Sequence, residues 1–239
     1  VKKLTYFLGL LVVFLAFGCS SVPIRAPQPQ EVSIIIKSDQ PTKVDVGDVT
    51  QKMMMIKNPG PELSNMSFIS EEVGYIKLWG GLTPYDSTSV WNDLLLFERV
   101  YKVKAISIFL SSGGGSAFSG LSLADEVERI STVIPVTMHA SGIVASAAVP
   151  IYASANKRIA AKGTMFMVHP ATSFKMFAEE TEKDLAAQQA MFKLLKSKYI
   201  DTLTKHSKSS REEWLSREEN TTWFDANQAK AWGLVDEIQ

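Results

Sequence analysis

Ser146 stands in the stretch GIVASAAVP (142–150), alone among small apolar residues and four places before Pro150. Proline lacks a backbone N–H and belongs near the start of a helix, so a helix begins close to Ser146 or Ala147. A serine there projects from a turn beside free N–H groups and the positive end of a helix dipole. Amide hydrolysis by serine needs such donors for the developing oxyanion, together with a base for the hydroxyl proton. The local sequence alone favours a helix-capping serine over a nucleophile. Ser146 is therefore a candidate nucleophile whose case depends on the rest of the chain.

Two further stretches could complete it. SSGGGS (111–116) closes the apolar run AISIFL. Glycines at the C-terminal end of a parallel strand let a ligand approach the backbone closely. A phosphate cradle would show the G-x-x-x-x-G-K-[ST] pattern, which is missing from this turn. The base must come from three histidines. His206 sits near the end of a long helical pattern, where a cation meets the negative dipole end. His139 lies inside a strand-like run seven residues before Ser146. His169 ends MFMVH and precedes Pro170, and strand ends opening into loops commonly carry catalytic groups. His169 is the expected base.

The elements that must position these residues follow from periodicity. VGYIKLWG (73–80), AISIFL (105–110), VIPVTMHA (133–140), KRIAA and MFMVH have the apolar character of short strands. Between them, 87–101 has apolar residues near helical spacing with Ser87 as a cap, and 119–131 is helical. SGIVASAAVPIYASA is expected to form a turn and a helix. Strands alternating with helices predict an α/β fold of repeated β-α-β units around a largely parallel sheet. A long helix is expected over 179–206, with Leu185, Phe192, Leu195, Tyr199 and Leu203 on one apolar face.

The N-terminal third has another character. Two lysines, an apolar run and small residues ending at Cys19 have the order of a bacterial secretion signal, expected over 1–18. The run is shorter than the roughly 20 residues of a spanning helix. Cys19 is the only cysteine, so no internal disulfide is possible. LAFGC resembles the lipobox of bacterial lipoproteins, which implies lipidation of Cys19, and Ser20 resembles outer-membrane sorting in Gram-negative bacteria. Residues 19–31, rich in Pro, Gln and Ser, are expected to be a tether. Residues 32–72 form an extension without an assigned structure, and 73–239 the main domain. Without 1–18 the chain carries 23 basic against 25 acidic residues. Such a balance gives no support for a nucleic-acid partner. About 220 residues suffice for one domain with a real core.

Taken in order, FLSSGGGSAFSGLSLAD, GIVASAA, MFMVHP and WFDANQAKAWGLVDEI resemble the Clp protease proteolytic subunit (ClpP) family from about Tyr75 onward. The resemblance implies a ClpP/crotonase-like spiral of β-α-β units with a long protruding handle helix at 179–206. It implies Ser146 as nucleophile, His169 as general base, and the N–H groups of Gly115 and Ala147 as the oxyanion hole. It also implies a homo-oligomeric ring, a peptide or unfolded protein segment as substrate, and no cofactor. The family's triad aspartate aligns with Thr221 here. Asn220, Glu218, Glu219 and Asp225 lie nearby as substitutes. Losing an orienting acid can cost about 10⁴ in rate.

The expected function is an ATP-independent serine peptidase, lipid-anchored in the cell envelope and facing the periplasm, since a secreted chain has no ATP supply. Three alternatives stand beside it. One is a crotonase-type acyl-CoA enzyme, and a second is a non-catalytic lipoprotein keeping the fold for binding or assembly. The third is a Ser-Lys peptidase using Lys157 or Lys162.

Overall fold

The computed structural model describes residues 62–172 and 181–239. The expected secretion signal, Cys19, the expected tether and residues 32–61 of the extension lie outside the described residues. No helix among the described residues is long and apolar enough to cross a membrane.

The described residues form an eight-stranded sheet in the order β1-β2-β3-β4-β5-β8, with β6 pairing β4 and β7 pairing β6. The strands are β1 (Ser67–Ser70), β2 (Val73–Leu82), β3 (Ala105–Gly115), β4 (Val136–Ala145), β5 (Lys157–Ala160), β6 (Met165–Val168), β7 (Thr222–Asp225) and β8 (Glu237–Ile238). Only β1–β2 and β6–β7 are antiparallel; the remaining pairs are parallel. Helices α1 (Pro84–Leu96), α2 (Ala117–Ser131) and α3 (Ala148–Ala153) make the successive crossovers. The expected α/β architecture of β-α-β units is the one observed. α4 (Glu182–Lys205), α5 (Arg211–Glu219) and α6 (Ala226–Ala231) complete the chain.

β3 shows why the sheet forms. Ile106, Ile108, Leu110, Ser112 and Gly114 are buried alternately along it, the period-two pattern of a strand. Ile106, Ile108 and Leu110 meet Leu123, Val127 and Ile130 from α2 and Tyr152 from α3 in one core. Asp93 is fully buried in α1 and accepts hydrogen bonds from Ser64 N–H and the hydroxyls of Ser64 and Ser67, fastening the entry to β1.

Several boundaries differ from expectation, among them the end of β3, which runs through the glycines to Gly115. α1 starts at Pro84, not Ser87, because Thr83 and Asp86 form a reciprocal capping box with proline in the first turn. Its end, Phe97–Tyr101, is a π-helical turn closed by Lys102 in the left-handed region. β4 runs five residues beyond Ala140, because Ile143, Val144 and Ala145 pair with β6 where Thr137–Ala140 pair with β5. The expected turn is therefore strand up to the residue before Ser146.

Candidate functional site

Ser146 is the first of the two residues between β4 and α3. Its N–H donates to Met167 O at 2.7 Å, and its φ of +55° lies in the left-handed region. For a residue with a Cβ, such a conformation costs about 1–3 kcal/mol and persists only where the surroundings impose it. Here β6 holds its N–H, while its carbonyl accepts from Val149 N–H at 3.0 Å and from the Tyr199 hydroxyl of α4 at 3.2 Å. Ala147, not Ser146, caps α3, and it offers no side-chain hydrogen bond. The Ser146 side chain is thus free of a capping role.

It turns to His169, whose Nε2 lies 2.8 Å from Ser146 Oγ. His169 follows the last residue of β6, and β6 pairs with β4 just before Ser146, so two neighbouring parallel strands deliver the pair. A hydroxyl and an imidazole at this distance can exchange a proton.

The glycines that end β3 lie against Ser146 from the other side. Gly114 has φ +89°, and a Cβ there would meet Ser146 Cβ at 2.6 Å and Ala145 O at 2.7 Å. Gly115 has φ +148°, and its Cβ would strike Leu82 O at 2.4 Å. Both positions demand glycine. Ser116 N–H donates to Leu82 O. Gly114 N–H donates to Ser112 Oγ, so at Gly114 and Gly115 the backbone leaves the regular alternation of a strand. Ala147 N–H belongs to the first turn of α3, where no carbonyl lies one turn back. Gly115 and Ala147 line, with Ser146 and His169, a cavity of about 310 Å³.

α4 and α5 supply the cavity's far side. Leu195, Lys196, Tyr199 and Glu218 line it. Tyr199 is only partly buried as a residue, yet its hydroxyl is desolvated. That burial pushes its phenol above the ordinary value, and the Glu218 carboxylate adds to the shift. Lys196 donates to Glu219 Oε1 at 2.8 Å and lies 3.0 Å from Glu218 Oε2. The Glu219 hydrogen bond outweighs desolvation, and with Glu218 it keeps the Lys196 ammonium above its usual value.

No carboxylate among the described residues hydrogen-bonds to His169. Extending the β6–β7 register one step past Val168↔Thr222 sets Thr221 opposite His169. Thr221 is exposed with φ +49°, and its N–H donates to Glu218 O. Asn220 bonds Ser216 O, Asp225 caps α6, and Glu218 and Glu219 pair with Lys196. His139 lies in β4 stacked on Phe109, where burial and then Lys157 lower its pKa, and His206 caps α4 against Glu128. Lys157 pairs with Glu237.

Sequence reasoning missed three residues around Ser146 and its cavity. Tyr199 counted there as one more residue of an apolar helix face. Gly114, rather than Gly115, is the glycine closest against Ser146, and its place beside Gly115 was the available signal. Lys196 carried no signal, since its partners lie in another helix.

The Clp protease family model matches residues 62–239. The ATP-dependent Clp protease proteolytic subunit of Bacteroides fragilis is 28% identical over 156 residues, covering 64% of this chain and 73% of that protein. Subunit 2 of Gluconobacter oxydans is 26% identical over 193 residues, covering 77% and 80%. Among solved structures, a point mutant of ClpP1 from Listeria monocytogenes superposes with a TM-score of 0.61 at 23% identity, over 69% of this chain and 90% of that one. The matched range takes in the whole sheet, the turn at Ser146 and the strand end at His169, and the chain belongs to the Clp protease family.

Proposed function

We propose that the chain is a serine peptidase that cleaves peptides or unfolded protein segments without ATP. The observation that carries this reading is the 2.8 Å contact between Ser146 Oγ and His169 Nε2 at the mouth of a cavity. In the proposed reaction His169 Nε2 takes the Ser146 proton as Oγ attacks the scissile carbonyl carbon. The N–H groups of Gly115 and Ala147 hold the resulting oxyanion. The imidazolium then protonates the leaving amine as the C–N bond breaks, leaving an acyl-serine. Water, deprotonated by the same imidazole, releases the acid and restores Ser146.

Assembly into a ring fits the apolar residues left open on the single chain, among them Leu185 and Leu194 on α4 and Trp223 on β7. Envelope anchoring through lipidated Cys19 belongs to the same proposal, and metabolic labelling with an alkyne fatty acid, lost in Cys19→Ser, tests it. The enzyme itself is tested with a fluorophosphonate probe and a panel of unstructured peptides. Labelling and cleavage in the wild type, both lost in Ser146→Ala, are expected. A folded wild type that neither labels nor cleaves would leave the reading of a fold kept for binding.

A further inference from the structure

We infer that Tyr199 is a positioning residue for the proposed oxyanion hole: its hydroxyl, donating to the Ser146 carbonyl, aims and polarises the Ala147 N–H. The inference rests on the peptidase reading and deepens it, adding a residue of α4 that touches no substrate.

Ser146 C=O and Ala147 N–H belong to one peptide unit. That unit is planar and trans, so its two polar groups point in opposite directions, and whatever fixes the carbonyl also fixes the N–H. The Tyr199 hydroxyl reaches the carbonyl from α4 at 3.2 Å, and Val149 N–H reaches it from α3 at 3.0 Å. The nitrogen of the same unit lies on the side of the glycines: a Cβ at Gly114 would come within 3.0 Å of Ala147 N. Anchoring the oxygen to α4 therefore keeps the N–H turned toward the end of β3, where Gly115 supplies the other expected donor. Burial pushes the Tyr199 phenol above its ordinary pKa, so it remains a donor through neutral and mildly alkaline pH. Hydrogen bonds in series polarise one another inside a protein. A donor on the Ser146 oxygen thus makes the Ala147 N–H a stronger donor in turn. The benefit grows as negative charge develops on the substrate oxygen, so it favours the transition state over the bound substrate.

Tyr199→Phe keeps the ring and removes the donor, while Val149 N–H still satisfies the Ser146 carbonyl. The test compares two reactions at this position. Phosphonylation of Ser146 by a fluorophosphonate builds negative charge on an oxygen that the oxyanion hole must hold. Alkylation by iodoacetamide in a Ser146→Cys background builds none there; read by peptide mass, it reports only how the nucleophile sits beside His169. Tyr199→Phe is expected to slow phosphonylation by about tenfold, less than the roughly 10²–10³ lost with a whole oxyanion donor. Thiol alkylation at position 146 should be unchanged by it, and kcat on the best peptide should fall at constant KM. 3-Fluorotyrosine in place of Tyr199, a stronger donor of nearly the same shape, should speed phosphonylation above wild type. That variant decides the matter if Tyr199→Phe does not fold. Undiminished phosphonylation in Tyr199→Phe overturns the inference. A parallel loss in both reactions overturns it as well, since the hydroxyl would then hold the serine and not aim the donor. A folded wild type that never reacts with the fluorophosphonate refutes the nucleophile, and the inference falls with it.

Discussion

Replacing Thr221 by aspartate should raise both stability and the reactivity of Ser146. The position stands opposite His169 by continuation of the β6–β7 register. Antiparallel partners have Cβ atoms about 4.5–5.5 Å apart, within the combined reach of an aspartate and an imidazole. A carboxylate there would accept Nδ1–H, fix the tautomer whose Nε2 faces Ser146, and stabilise the imidazolium. Removing such an acid from a complete triad costs about 10⁴ in rate, which is about 5.4 kcal/mol of barrier. The gain in Thr221→Asp should lie between about tenfold and that ceiling. A second effect is separable. Thr221 has φ +49°, where a β-branched residue is strained and Asp or Asn is tolerated. Relief of about 1 kcal/mol would raise Tm by about 2–4 °C in a chain of this size. Thr221→Asn shares the relief without the charge, so it should match the Tm and lack most of the rate gain. The assays are fluorophosphonate labelling rate, kcat/KM on the best peptide, and thermal melting. Both variants melting higher while Thr221→Asp reacts no faster than wild type would refute the placement of Thr221 against His169.

Gly114→Ala should cost about 2–3 kcal/mol or more and abolish labelling, since the new methyl would collide with Ser146 Cβ at 2.6 Å in a backbone conformation hostile to alanine; denaturant melts and the probe report both. Asp93→Ala should lose about 3 kcal/mol by stranding Ser64 and Ser67, while leaving the distant Ser146 able to label. Asp236 gives an acid dependence. Burial alone would raise its pKa, but hydrogen bonds from the Arg158 side chain and backbone hold it below the ordinary carboxylate value. Its stabilisation is therefore complete above the ordinary value and is lost as pH falls through the lowered native one, below about pH 4. Asp236→Asn should flatten Tm against pH in that range, and an unaltered slope would show that other carboxylates dominate.

The alternation of strands and helices was legible because buried strands such as AISIFL and amphipathic helices such as SGLSLADEVERIS carry their periods locally. The start of α1 was legible in principle, since Thr83-Pro84-Tyr85-Asp86 is a capping box with proline at its first helical position. Apolar periodicity, which begins only near Val90, hid it. The extension of β4 was not legible. Residues 141–145 include a glycine at φ +66° and a serine, and they become strand only because β6, some twenty residues later, offers its edge. That same pairing brings His169 to Ser146.

The wall of the cavity shows the same limit more sharply. Lys196 and Glu218 meet because α4 and α5 pack together, and no periodicity within either helix announces the partner. Tyr199 illustrates how an apolar reading can be right about burial and silent about chemistry. It lies on the face that packs inward, yet its hydroxyl holds the carbonyl of Ser146. Thr221 is the converse case, since its place opposite His169 was readable from the GLVD tail, whereas a threonine there predicts nothing. A serine held at positive φ by β6, α3 and α4 together retains its conformation whether or not an acid stands behind the histidine. The acid would then govern how basic His169 becomes and leave its position unaltered, which is why Thr221→Asp should change rate far more than structure.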